Sequence, residues 1–236
     1  IKKKMKIVRS TLLVIVLIIF AFVACEKVDV KNKTIAPPAP EVKDNPSGLG
    51  TNPGKPYCAP FNFPAGIELI GKMQSSSFKS VNFDKENQNA EDFIMNPKTS
   101  FIPLGSGSLV QIYMKFRNKN PFKQTLIIPG GLIFCPEDTT TQTGVIVQPD
   151  TLVINPNDSV GVLLTAYCTN LKKHVPSNTT FNLIGVSLHS DLHKVVGILK
   201  NKQKLQQGSK VQSIIWNISD RGGLKDEDVD YLNSLP

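Results

Sequence analysis

The chain has 236 residues, a formal charge of +8, and 40% hydrophobic but only 7% aromatic side chains. That is apolar material for one domain beside polar extensions. Five of the 27 Lys and Arg and none of the 19 Asp and Glu precede Cys25, which leaves 22 against 19, a net +3, in the rest. A balance that small, without a basic stripe interleaved with aromatics, excludes nucleic acid from the expected partners.

At the start, Lys2, Lys3, Lys4, Lys6 and Arg9 lead into the apolar run Leu12 to Val23, which ends in Phe22-Val23-Ala24-Cys25. As a helix this run rises about 18 Å, short of a hydrocarbon core of roughly 30 Å, so a secretory leader fits better than a membrane span. The ending resembles the lipobox of bacterial lipoproteins, with Phe22 where that motif usually carries Leu. The resemblance implies that residues 1–24 are a signal peptide and that Cys25 is lipidated, so the protein lives in the bacterial cell envelope. Acyl chains on Cys25 supply membrane affinity at about 0.8 kcal/mol per buried methylene, and several chains hold a protein essentially permanently. Glu26 rather than Asp follows the cysteine. By the same resemblance this implies the outer membrane and leaves the leaflet open.

Residues 25–60 are rich in Lys, Asn, Pro and Gly, with Pro37-Pro38-Ala39-Pro40 and Pro46, Pro53, Pro56 and Pro60, and show no period. They read as the anchor and a disordered tether with a reach of roughly 30 Å. Residues 61–236 form the expected domain. Val110, Ile112, Met114 and Phe116 alternate with Gln111, Tyr113, Lys115 and Arg117, the pattern of a half-buried antiparallel strand. Thr125–Ile128, Leu132–Cys135, Val145–Gln148, Thr151–Ile154 and Val160–Cys168 follow, separated by Pro129-Gly130-Gly131, Pro149-Asp150 and Asn155-Pro156-Asn157-Asp158. Short strands at that spacing indicate a sandwich or a barrel. An antiparallel β-sandwich of the Ig-like class is the expectation. Ile67–Ile70 and Lys79–Phe83 are candidate early strands.

After Phe181 the period changes. Ser190 and Asp191 are placed to cap a helix with Leu192, Val195, Val196 and Leu199 on one side. Ser209–Ile218 reads either as a helix or as an apolar strand around Trp216, stopped by Arg221-Gly222-Gly223. Lys225–Leu235 reads as a last helix with an acidic first turn. A helical cap at the C-terminal end is therefore expected.

Cys58, Cys135 and Cys168 accompany Cys25. An oxidising envelope permits a disulfide between Cys135 and Cys168, which end two strands; pairing of Cys58 with either, or no bridge, stays open. Ala166-Tyr167-Cys168 and Gln212-Ser213-Ile214-Ile215-Trp216 resemble the two motifs of the thioester domains of bacterial surface adhesins. That resemblance implies an internal thioester between Cys168 and Gln212. The spacing is shorter here, and Val211 precedes the glutamine where the pattern has Thr. Residues 128–220 also resemble a β-rich bacterial envelope domain of unknown role, through Pro129-Gly130-Gly131, Gln148, Tyr167-Cys168-Thr169-Asn170, Pro176, and Gln212 to Asp220.

His189 and His193 stand at a metal-sharing spacing without an evident third ligand. Asp226-Glu227-Asp228 with Asp230 lacks the spacing of a calcium loop. Neither a metal nor another cofactor is expected. With no G-x-S-x-G, H-E-x-x-H or P-loop pattern, the expected function is a lipid-anchored, non-catalytic binding or structural domain. Its partners would be the membrane, through Cys25, and an unidentified protein or glycan ligand. The alternatives are a covalent Cys168–Gln212 adhesin and an envelope hydrolase with no recognisable signature.

Overall fold

The computed structural model describes residues 47–76, 101–205 and 210–236. The leader, Cys25 and Lys79–Phe83 lie outside them. The strands are β1 (Cys58–Ala59), β2 (Ile67–Leu69), β3 (Met73–Ser75), β4 (Ile102–Gly105), β5 (Val110–Asn118), β6 (Gln124–Ile128), β7 (Leu132–Pro136), β8 (Gly144–Val145), β9 (Asp150–Ile154), β10 (Ser159–Cys168) and β11 (Thr180–Ser187). Three helices follow, α1 (Ser190–Leu199), α2 (Val211–Asp220) and α3 (Asp226–Ser234).

The architecture is a closed barrel, not the expected open sandwich. β5 pairs with β10 on one edge and with β3 on the other. The ladder then runs from β3 through β11, β7 and β8 back to β10, all antiparallel. Alternation and turn spacing are the same in sandwiches and barrels; only the pairing that closes the ring separates them. The strand that completes it, β11, was not expected. Its pattern is broken by a register shift between Leu183 and Gly185. Gly185 has φ +140°, and an added Cβ would lie 2.2 Å from the Ala59 carbonyl oxygen of β1. A bulge at a glycine bends the strand around the barrel and lets β1 approach it closely.

The side-chain period of two sorts this wall into two cores. Val110, Ile112, Met114 and Phe116 of β5 point inward with Val162, Leu164, Ala166 and Cys168 of β10. Leu126, Ile128, Leu152 and Ile154 of the β6–β9 ribbon join the same inner core. On β7, β8 and the end of β10 the other face carries apolar residues as well. Ile133, Val145 and Tyr167 face outward and bury the helices in a second core. Helix α1 contributes Leu192, Val195 and Leu199; α2 contributes Val211, Ile214, Ile215 and Ile218. Both sets follow a 3.6-residue period. The ambiguous segment at 209–218 is thus a helix, because its apolar face meets a wall whose own outer face is apolar.

Three buried side-chain amides tie these parts together. Asn118 Nδ2 donates to the carbonyls of Phe122, Ile154 and Asn155, joining the barrel to the ribbon. Gln148 Nε2 donates to the carbonyls of Leu199 and Gln203, and its Oε1 accepts from Leu205 N–H, closing the end of α1. The third, Gln212, belongs to the site described below.

The boundary of the tether also moves. Residues 47–60 are part of the fold: Leu49 is buried in the outer core, and Gly50 N–H donates to the Thr169 carbonyl at 2.7 Å. Low apolar content misled the composition reading, since a single leucine and a few backbone bonds suffice to dock a proline-rich loop. Leu49→Ala is expected to destabilise the domain by about 2–5 kcal/mol in urea denaturation, the range for a buried leucine. A passive tether would leave the midpoint unchanged.

Candidate functional site

The site begins where β10 leaves the barrel. Cys168 N–H donates to Gln212 Oε1 at 2.9 Å, and Gln212 Nε2 donates back to the Cys168 carbonyl at 2.8 Å. One turn along α2, Trp216 Nε1–H points at Cys168 Sγ at 3.5 Å. The Asn170 N–H also approaches this sulfur, at 3.3 Å. Burial pushes the Cys168 thiol above its ordinary range, and the N–H groups of Trp216 and Asn170 offset this only in part. The sulfur is therefore a protonated thiol at neutral pH.

Asn170 extends the cluster. Its Oδ1 accepts from Thr143 N–H at 2.7 Å, and its Nδ2 donates to the Gly50 carbonyl at 2.7 Å. Asp220 Oδ2, at the end of α2, accepts from Leu171 N–H at 3.2 Å and Ser219 Oγ–H at 2.7 Å. Gly50 has φ +60°, and a Cβ there would sit 2.0 Å from the Ser219 carbonyl oxygen. The loop can pass over the helix end only as glycine. Four segments distant in sequence are thus fastened at one point: the 47–56 loop, the start of β8, the end of β10, and α2.

Beside this knot the 47–56 loop, Thr143 and the turn after β10 border, with residues of β7 and β11, a cleft of about 670 Å³, within the usual range for ligand sites, roughly 300–1,000 Å³. Cys135, Thr143 and Asn182 lie on its lining, with Lys55 from the 47–56 loop, Lys173 from the turn after β10, and Glu137 after β7. Burial raises the Cys135 thiol, against a hydrogen bond from Thr143 and the positive charges of Lys173 and Lys55. Burial also pushes Cys58 up to about 12, with Cys135 as a lesser cause.

The sequence-predicted residues fare differently. Cys135 and Cys168 are not brought together: both are free thiols, and they lie against opposite faces of the barrel wall, Cys135 on the outer core and Cys168 in the inner one. Cys168, Gln212 and Trp216 are brought together, yet the carboxamide engages the main chain of Cys168. Residues of Cys168 to Asn170 and Gln212 to Asp220 converge in this knot, whereas Gln148 acts apart from it at the end of α1. Lys55, Lys173 and Asn182 were missed. They come from separate loops with no motif, and only the topology assembles them.

His189 and His193 do not share a site, for His193 Nε2 meets the Ser187 carbonyl oxygen. Asp228 is buried and caps α3, accepting from Asn217 Nδ2 at 2.9 Å. Among the described residues no group of three His, Cys, Asp or Glu is placed to hold a metal ion. Comparison with known proteins finds no matching family model, no matching curated protein and no matching solved structure.

His189 is 6% exposed, and neither ring nitrogen has a partner. Burial holds its imidazole below the ordinary 6.5, opposed by Asp191 and aided by His193. The unfolded chain therefore takes up this proton before the folded one does. Stability from this group is complete above about pH 6.5 and is lost as the pH falls toward the depressed folded value. Thermal melts should show the midpoint dropping from pH 7.5 to 5.5, and His189→Leu should reduce that drop without lowering the midpoint at pH 7.5. Equal pH slopes in the two proteins would contradict this.

Proposed function

We propose that this chain is a lipid-anchored bacterial envelope protein, held through Cys25, whose barrel domain acts by binding a ligand rather than by catalysis. The observation that carries the binding reading is the cleft, whose mixed lining sets Lys55, Lys173, Thr143 and Asn182 among prolines and Ile184. Its walls are residues of β7 and β11 together with loops, and the 47–56 loop is pinned to the barrel and to α2 by the Cys168–Gln212–Asn170 knot, an arrangement suited to holding a ligand without rearrangement. The apolar leader ending in Phe22-Val23-Ala24-Cys25 supports the anchor and, through the lack of Asp at position 26, the outer membrane. Metabolic labelling with palmitate tests the anchor in cells that make the protein. Label on the wild type and none on Cys25→Ala is the expected result; an unlabelled wild type rules the anchor out.

A second reading is favoured by one specific observation, the convergence of Gln212 and Trp216 on Cys168. A thioester would form if the Cys168 thiol displaced the Gln212 amide nitrogen as ammonia. The intact protein would then be one ammonia lighter than its sequence and would gain one methylamine on exposure to that amine. An unshifted mass that ignores methylamine leaves Gln212 as a clasp on the Cys168 backbone and nothing more.

A further inference from the structure

The cleft carries a charge bias that its sequence positions do not reveal. Two ammonium groups line it, Lys55 on the 47–56 loop and Lys173 on the turn after β10. Neither takes part in an ion pair among the described residues. Lys55 is exposed, whereas Lys173 is half-buried and so is held over the lining rather than ranging freely in solvent. The carboxylate on the lining is Glu137, which is exposed. Its neighbour Asp138 is turned to its own loop, accepting from Thr140 N–H at 2.9 Å and from the hydroxyls of Thr140 and Thr141.

Below the lysines, neutral hydrogen-bonding groups sit among Ile184 and the prolines Pro53, Pro56 and Pro136. Thr143 is 3% exposed, and its hydroxyl makes only a long 3.8 Å contact to Cys135 Sγ. A contact of that length to sulfur is weak, so most of its hydrogen-bonding capacity is unspent. Asn182 presents an exposed carboxamide on the same lining, and Thr139 a second hydroxyl. Tyr, Trp and Phe do not line the cleft, so stacking is not how a ligand is held there. A concave site with surplus positive charge over neutral donors concentrates anions.

We infer that the cleft binds a compact hydrophilic organic anion, whose carboxylate or phosphate sits between Lys55 and Lys173 while its hydroxyls meet Thr143 and Asn182. This deepens the binding reading and rests on it. Lys173 is placed to matter more, because a half-buried ammonium is screened less than an exposed one.

Cys135 reports on this directly, as a free thiol on the lining. In the full-length protein, an anionic methanethiosulfonate and its cationic counterpart would be compared for their rates at Cys135, located by peptide mass mapping. Each exchanges its sulfinate for the cysteine sulfur, so charge is the only variable. The anionic reagent should be favoured over its ratio on free cysteine by about tenfold or more. Lys55→Met with Lys173→Met should remove the preference. Galacturonate, glucose 6-phosphate and glucose, three hexoses differing in charged group, would then be tested as protectants. Protection by either acid and not by glucose supports the inference and identifies the anion. Equal protection by glucose leaves a binding cleft but overturns the anionic ligand. A preference without protection by any of the three, or no preference at all, also overturns it; no protection by any hexose counts against the cleft as a small-molecule site.

Discussion

The bidentate grip of Gln212 on the main chain of Cys168 is the contact on which the rest of this structure leans. At that point β10 runs off the barrel, and its N–H and C=O would otherwise be left facing an apolar helix. A buried backbone group without a partner costs about 1–3 kcal/mol, so two of them would oppose the docking of α2. A single carboxamide supplies both an acceptor and a donor, and it does so from a helix whose other buried residues are Val211, Ile214, Ile215, Ile218 and Ser219. Helix and barrel therefore become one body. Asn170 and Gly50 then carry the same fixation outward to the loop that forms one wall of the cleft.

The barrel wall explains why a helical layer exists at all. A sheet with one apolar face needs no cover on the other. Here β7, β8 and the end of β10 carry apolar residues on both faces, and the outward set of Ile133, Val145 and Tyr167 must be removed from water. The helices are the cover. Gln148 closes the end of α1, donating to the Leu199 carbonyl and accepting from Leu205 N–H. The cleft forms where this cover ends and loops take over, which is where a rigid scaffold most often presents polar side chains.

Much of this was legible in the chain. The alternation at Val110–Arg117 and the apolar runs at Leu132, Thr151 and Val160 correspond to strands, and the last acidic helix lies where its charges place it. What was not legible is pairing. Closure of the ring depends on β3 meeting β11; the first is only three residues long, and Gly185 interrupts the pattern of the second. The tether boundary was obscured for a different reason: composition averages over a window, whereas one buried side chain, Leu49, decides whether a loop docks. For the site, Cys168 and Gln212 were visible through motif resemblance. Lys55 and Lys173 were not, because isolated lysines in loops carry no signal until the fold sets them on one lining.

Hydrogen exchange on Gln212→Leu tests the central contact most directly. If the clasp organises the knot, amides in residues 168–173 and at Gly50 lose protection by about tenfold or more, as expected for orphaning two buried groups, while β5 exchanges as in the wild type. Unchanged protection at 168–173 and Gly50 in the folded variant would contradict the account.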